Sequence, residues 1–159
     1  MGGIVEVYIA NFSDVTSKTV TDGKISAITM ASLGGTPETF AKFKTYYFPK
    51  NTGSLTSTYN VADGGNKYVS SDLVLQFSRM ETAKRVEITA LAVSDLAIIV
   101  KDANGKYWYL GYDDAVNLSA GDGQTGTARG DANRYSITLQ DNSWEMPYEV
   151  ADSIIAGLL

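Results

Sequence analysis

Acidic residues in the last third of the chain are the first candidates for a functional site. Asp113, Asp114, Asp122 and Asp131 lie within a Gly-rich stretch, and loops rich in carboxylates can bind calcium. Their order does not match an EF-hand, because no spaced Asp-x-Asn-x-Asp-Gly with a closing Glu is present. The favoured interpretation is a solvated loop, and a cation site is the alternative.

A second acidic pair consists of Glu145 and Glu149, which lie beside Trp144 and Tyr148. Glycosidases use two carboxylates, and an acidic and aromatic neighbourhood of this kind could hold a sugar. Residues four apart on an extended chain are separated by about 13 Å, which exceeds both catalytic spacings. Packing of the two aromatic side chains is therefore the favoured interpretation.

The stretch GDGQTGTARG, residues 121–130, superficially matches a phosphate-binding loop. It lacks the Gly-Lys-Ser/Thr ending and does not lead from a strand into an amphipathic helix. The tripeptide Arg129-Gly130-Asp131 is interpreted as a turn. The sequence therefore predicts no cofactor.

The composition excludes most standard catalysis. The chain has no cysteine and no histidine, which removes the thiol nucleophile, the usual zinc ligands and the commonest general base. Thirteen basic residues against eighteen acidic ones give a net charge of −5, which argues against a surface that grips phosphates. We therefore expect no enzyme.

The length of 159 residues suits one domain. The first six residues contain neither a basic region nor a long apolar run, so we expect no signal peptide, no membrane association and a location inside the cell.

The clearest structural prediction is a β-hairpin over Leu96–Gly111. Asp102 suits the first position of a type I turn, and Gly105 suits the positive φ of a bulged three-residue connection. The resulting register pairs Asp102 with Lys106, Lys101 with Tyr107, Val100 with Trp108, Ile99 with Tyr109, and Ile98 with Leu110. The Val100 face is predicted to be core, and the Tyr109 face is predicted to be covered by a helix of the same chain or by a neighbouring subunit.

Alternation and turn signals predict the remaining elements. The predicted strands are Ile4–Ile9, Lys24–Met30, Phe40–Phe48, Ser54–Tyr59, Tyr68–Arg79 and Arg134–Leu139, and the predicted helix is Glu81–Val93 with an apolar face of Ala83, Val86, Ala90 and Val93. Residues 11–17 are predicted to be a polar connection, about 50–67 a polar loop or hairpin, and about 112–133 a Gly/Asp-rich loop. The predicted fold is mainly β (α+β), an antiparallel β-sandwich or barrel with one packed α-helix.

The chain ends in an apolar segment that includes Ile154, Ile155, Leu158 and Leu159. Such residues are unusual at a free terminus, so we expect another surface to bury them. Several of the ten tyrosines fall on predicted strand faces, where subunit contacts suit them better than chemistry.

The order of elements resembles that of the tail-tube group of tailed-bacteriophage virion structural proteins. Leu73–Gly111 carries the resemblance together with the following GYDDAVNLSAGDGQTGTARGDANRYSITL, where a Gly-rich loop leads into a strand. It covers about half of the chain and is architectural rather than a signature motif. It implies a mostly β fold with one helix packed beside a sandwich.

The resemblance also implies a function and a location. Such proteins form hexameric rings that stack into a tail tube or a head-to-tail connector with other virion proteins, and DNA passes through the channel without specific binding. An acidic channel wall would reduce sticking of the genome. The location would be the virion, and the host cytoplasm during assembly.

Two hypotheses about contacts follow from this resemblance. The polar segment at 50–67 would become ordered against a neighbouring ring, and the apolar terminus would dock on a neighbouring subunit. The candidate interface residues are Tyr59, Tyr107, Tyr109, Ile154, Ile155, Leu158 and Leu159.

The alternative function is a monomeric ligand- or carbohydrate-binding β-sandwich with Tyr107, Tyr109 and Trp144 as stacking platforms. A neck or head-decoration protein is a near relative of the tail-tube interpretation.

Overall fold

Most of the chain is β-strand in the computed structural model, which describes residues 2–49, 52–78 and 82–159. The strands are β1 Ile4–Asn11, β2 Val15–Thr21, β3 Lys24–Met30, β4 Ser32–Gly34, β5 Thr39–Phe40, β6 Lys44–Tyr47, β7 Gly53–Val61, β8 Lys67–Ser78, β9 Leu96–Asp102, β10 Tyr107–Leu110, β11 Asn117–Gln124, β12 Arg134–Ser143 and β13 Tyr148–Val150. The helices are α1 Thr82–Ala92 and the single turn α2 Ile155–Leu158.

The strands form two main sheets. The large sheet has the order β2-β3-β13-β10-β9-β1-β6, the small sheet has the order β11-β12-β8-β7, and β4 and β5 form a separate ribbon. All pairs are antiparallel except β13 with β3. The mainly β prediction is confirmed, and neither main sheet closes into a barrel.

The predicted hairpin is confirmed together with its register. Strands β9 and β10 pair Lys101 with Tyr107 and Ile98 with Leu110. The Gly105 N–H donates to the Asp102 carbonyl at 3.1 Å, and Gly105 has φ +81°. The Asp102 carboxylate accepts from the Asn104 N–H and from the Trp108 indole, so one side chain fixes both the turn and the strand after it.

The two sheets cross each other. At one end of β1, Ile4 lies against Gly53 of β7. At its other end, Asn11 pairs with Leu96, which is bridged to Val116 just before β11. Strands β1 and β9 therefore run across the small sheet from its β7 edge to its β11 edge.

The central strands of the large sheet are buried on both faces. One face packs on the small sheet, since Val7 and Ile98 of the large sheet share a core cluster with Leu73 of the small sheet. The other face, which includes Tyr8 and Ile99, is covered by the same chain, since Ile155 and Leu158 of α2 belong to its core cluster. The alternative that a neighbouring subunit covers the Tyr109 face is therefore not needed.

The predicted helix exists, but the apolar face indicated by its spacing is not the face that packs on the core. Val86 and Val93 are 57% and 83% exposed, whereas Ile88 and Leu91 pack on the core between the sheets. The Glu87 carboxylate accepts from Lys44 and Tyr46 of β6, which fixes the rotation of α1. The predicted first residue, Glu81, lies outside the described residues.

Three predicted segments differ from the structure. The connection predicted at 11–17 includes the start of β2, and the predicted strand Phe40–Phe48 is split, because Phe43 turns into the core and donates its N–H to the Leu158 carbonyl. The predicted loop at 112–133 contains β11, since β12 supplies a hydrogen-bonding partner. The short strand predicted at 54–59 is confirmed within β7, and the strand predicted at Tyr68–Arg79 is confirmed to Ser78, the last described residue before helix α1.

No helix within the described ranges is long and apolar enough to span a membrane.

Candidate functional site: the open small sheet

The acidic candidates are dispersed. Asp122 lies on β11, and the Asp131 carboxylate accepts from the Thr127 and Ala128 N–H groups at 2.9 and 2.8 Å. These hydrogen bonds lower the pKa of Asp131. Within the residues that the structure describes, no three acidic side chains are grouped as metal ligands would be.

The second acidic pair is used in local contacts. Glu149 forms salt bridges with Lys24 and Lys106 at 3.3 and 3.1 Å. Glu145 accepts a hydrogen bond from the Tyr148 hydroxyl. These contacts are typical of carboxylates that stabilise strand ends and the loop around β13, and they are not typical of a catalytic pair.

The predicted interface residues separate into two groups. Tyr59 and Leu159 are 61% and 40% exposed, and Tyr107 and Ile154 are half-buried. Tyr109, Ile155 and Leu158 are buried in the protein's own core. These three are therefore removed from the candidate interface, because they pack together where α2 covers the large sheet.

The small sheet buries only one of its faces. Its inner face supplies Leu73, Leu75, Ile137 and Leu139 to the core. The register places the following residues on the opposite, outer face: Ser54, Thr56, Thr58, Asn60, Tyr68, Ser70, Asp72, Val74, Gln76, Asn117, Ala120, Asp122, Gln124, Arg134, Ser136, Thr138, Gln140 and Asn142. None of these is buried.

Hydroxyl and amide side chains dominate this outer face and bond to one another. The Gln140 amide donates to the Ser70 hydroxyl at 3.0 Å and to the Asp72 carboxylate at 3.2 Å. The Arg134 guanidinium donates to the Gln76 side chain at 2.7 Å. The outer face is thus polar, nearly neutral and held in place by its own hydrogen bonds.

Both edges of the small sheet lack a partner strand within the described residues: β7 pairs only with β8, and β11 only with β12. They are matched in length at nine and eight residues. Unpaired edges of this length are templates for pairing with another chain.

The direction of the β7 backbone groups follows from two hydrogen bonds at its ends. The Thr52 carbonyl accepts from Gln76, and the Ala62 N–H donates to Asn66. Because bonded pairs alternate in an antiparallel ladder and the β7–β8 register is unbroken, even-numbered residues bond to β8. The N–H and C=O groups of Leu55, Ser57 and Tyr59 therefore point to the open edge.

Apolar side chains flank both open edges. Tyr59 and Val61, at 61% and 69% exposed, lie at the end of β7. On the opposite side, α1 contacts β11, and Val86 of α1 and Val93, which directly follows the helix, are exposed. Each edge thus combines free backbone groups with apolar surface, which is the composition of a contact between subunits.

One end of the small sheet carries an open depression of about 610 Å³ lined by Tyr68, Asp113, Asp114, Gln140 and Trp144, among others. The backbone N–H of Trp144 donates to the Asp113 carboxylate at 3.0 Å, and the residue is 71% exposed. An exposed indole beside two carboxylates suits a cationic or sugar-like group.

Asp141 lies buried near this end of the sheet. Its carboxylate accepts from the Gly111 N–H at 3.1 Å, while its second oxygen has no hydrogen-bond partner among the described residues. Burial raises the pKa of Asp141, and the negative charges of Asp113 and Asp114 raise it further. The end that carries the depression therefore brings the carboxyl groups of Asp113, Asp114 and Asp141 within electrostatic reach of one another.

Comparison of the chain with known protein families, with curated proteins and with solved structures finds no match.

Sequence reasoning placed Tyr59 and the polar hairpin correctly as surface features but missed the β11 edge. Residues 117–124 contain glycine at 121 and 123, both on the inner face, so the apolar alternation that marks a strand is absent there.

Proposed function

We propose that this protein is a non-enzymatic bacteriophage virion structural protein that assembles into rings or a tube through the two open edges of its small sheet. The observation that carries the proposal is a four-stranded sheet with two long unpaired edges and one polar, uncovered face. The resemblance to the tail-tube group supplies the expectation of hexameric rings and of DNA in the channel.

The strand directions fit such a ring. Strands β7 and β11 run in opposite directions, because three antiparallel pairings separate them in the small sheet. Rotation about an axis parallel to the strands preserves strand direction, so β7 of one copy meets β11 of the next in an antiparallel pair. Two different edges make a heterologous contact, and such contacts give a ring when the rotation between copies closes and an open helical filament when it does not.

The outer face suits the wall of a channel for DNA. It carries Asp72, Asp122 and Arg134 as its charged side chains. With one arginine against two aspartates, it offers few groups that would bind phosphates. In this proposal the wall is mainly neutral and polar, so low adhesion comes from hydroxyl and amide groups more than from strong repulsion.

The carbohydrate-binding alternative rests on Trp144, which is exposed at the depression. Tyr107 and Tyr109, the other two predicted stacking platforms, are less exposed than Trp144. Tyr109 is 1% exposed, and the half-buried Tyr107 stacks on Tyr8 with ring centroids 6.2 Å apart. The three aromatic side chains therefore form no common platform.

The test is the mass of the purified protein by light scattering at rising concentration, with negative-stain images of the same samples. We expect rings or tubes. A strict monomer at high concentration would favour the ligand-binding alternative, and a closed dimer would show that like edges pair.

A matched pair of variants at one position connects any assembly to the β7 edge. Tyr59→Pro removes an N–H that points to the open edge and leaves the β8 ladder intact. Tyr59→Thr removes the same aromatic ring but keeps the N–H. We expect Tyr59→Pro to abolish assembly of a folded monomer, and Tyr59→Thr to assemble at higher concentration than the original protein; equal assembly of both variants would contradict the role of the edge.

A further inference from the structure

The two ends of the small sheet face opposite ways along its strands. The pair Ser143–Val69 lies at one end of the β12–β8 ladder, and the pair Arg134–Ser78 lies at the other. If edges join copies around a ring, as proposed above, the strand ends must face the rings above and below. The chemistry of the two ends then determines how rings stack.

The first end is acidic and aromatic. It holds the depression with Asp113, Asp114 and Trp144, and the β7–β8 turn with Asp63 lies beyond Val61–Lys67, the last pair of the β7–β8 ladder. Lys18 acts electrostatically on Asp113, but no salt bridge to Asp114 occurs among the described residues. Asp114 is exposed and lines the depression, and its Oδ1 accepts from the adjacent Ala115 N–H at 2.9 Å.

The second end carries a cation on a firmly held turn. The β11–β12 connection is closed by the Asp131 carboxylate, which accepts from the Thr127 N–H and hydroxyl and from the Ala128 N–H. Gly126 has φ +72°, and a Cβ there would lie 2.4 Å from the Asp131 Cβ. Arg129, next to Ala128 in this turn, is exposed and makes no salt bridge within the described residues.

From this complementarity we propose that Arg129 of one copy enters the depression of a second copy in the adjacent ring. Its guanidinium lies beside the Asp113 and Asp114 carboxylates and stacks on the exposed Trp144 ring, since arginine suits both partners. The inference rests on the proposed function and adds the contact that joins one ring to the next.

The absence of cysteine from the chain allows a direct test. Strand β12 has ten residues, about 33 Å at the strand rise, between the two ends. A disulfide needs Cα atoms within about 7 Å, so Arg129→Cys and Asp114→Cys in one chain can bond only between copies. Lys42→Cys with Asp114→Cys is the control, because Lys42 is equally exposed but lies between β5 and β6.

Each variant is assembled, oxidised and run on a denaturing gel without reductant. We expect a ladder of covalent multimers from the Arg129 pair and at least a tenfold lower yield from the Lys42 pair. Assembled particles that give no ladder, or equal ladders from both pairs, would overturn the stacking contact and leave the ring proposal standing. Monomers by light scattering would overturn both.

Charge reversal gives a second readout without cysteine. Arg129→Glu should yield rings that do not stack, and Arg129→Glu combined with Asp114→Arg should restore tubes. Lys42→Glu, the matched reversal, should form tubes of ordinary length. Tubes of unchanged length from Arg129→Glu alone would contradict the contact.

Discussion

The edges of the two sheets differ in how they are protected against pairing. The large sheet ends in β6, which has four residues, and in β2, which carries Lys18 and two register shifts against β3. The small sheet ends in β7, which has nine residues, no charged side chain and no shift against β8. Charge, irregularity and shortness are the usual devices that blunt an edge. The chain thus protects both edges of the large sheet and leaves the β7 edge of the small sheet open, whereas β11 carries Asp122 and one register shift against β12.

The faces show the same difference. The large sheet is buried on both faces at its centre, whereas the small sheet has one apolar and one polar face. This arrangement lets the large sheet and the inner face of the small sheet stabilise the monomer, while the outer face and the edges remain available for assembly. Substitutions should therefore separate folding from assembly according to their position.

The largest expected effect compares neighbouring residues on β8. Leu73 is fully buried on the inner face, and Val74 lies half-buried on the outer face. Leu73→Ala should lower the free energy of unfolding by about 2–5 kcal/mol through the cavity it creates. Val74→Ala should cost less than about 1 kcal/mol. Urea unfolding measures both, and similar losses would contradict one-sided burial.

A smaller effect is expected at the buried Asp141. Because its pKa is raised in the folded protein, the folded state favours the protonated carboxyl, and its contribution to stability is lost as pH rises through the folded pKa. Asp141→Asn should therefore be more stable than the original protein at pH 7, by about 1 kcal/mol, with a smaller difference at acidic pH. Urea unfolding of the monomer at several pH values measures this difference.

The effect of pH should be opposite at Asp131, because backbone N–H groups lower the pKa of this carboxyl, whereas that of Asp141 is raised. Asp131→Asn should be less stable than the original protein at neutral pH, and the difference should shrink as pH falls through the folded pKa. If Asp141→Asn and Asp131→Asn both raised, or both lowered, the free energy of unfolding at neutral pH, the environments assigned to the two carboxylates would be contradicted.

The smallest effect on stability, but a large one on assembly, is expected from lysine on an open edge. Thr58 of β7 and Thr19 of β2 are both exposed threonines on edge strands. Thr58→Lys should prevent assembly, because charge on an edge opposes pairing, and Thr19→Lys should not. Both should change the free energy of unfolding by less than about 0.5 kcal/mol. Light scattering of the two variants decides between open and protected edges.

Local signals in the sequence predicted the hairpin around Gly105 with its full register, because turn chemistry and apolar sorting agree there. They also predicted β8 and α1 to within a few residues. The buried face of α1 was missed, since a stripe of alanine and valine satisfies the helical period equally well whether it faces the core or a partner.

Features that depend on contacts distant in the chain could not be read from the sequence. Strand β11 forms because β12 offers it hydrogen bonds, and its inner positions at Gly121 and Gly123 carry no side chain to reveal the face. The terminal Ile155 and Leu158 suggested a partner, but the chain's own large sheet covers them. The open edges likewise became visible only once the strand order was known.

The most direct test of edge pairing is amide hydrogen exchange in β7, read residue by residue in the dilute monomer and in the assembled state. The amides of Thr56 and Thr58 bond to β8 and should be protected in both states, whereas those of Ser57 and Tyr59 face the open edge. We expect Ser57 and Tyr59 to become protected only on assembly. Particles in which these two amides exchange as fast as in the monomer would show that β7 does not pair with another copy.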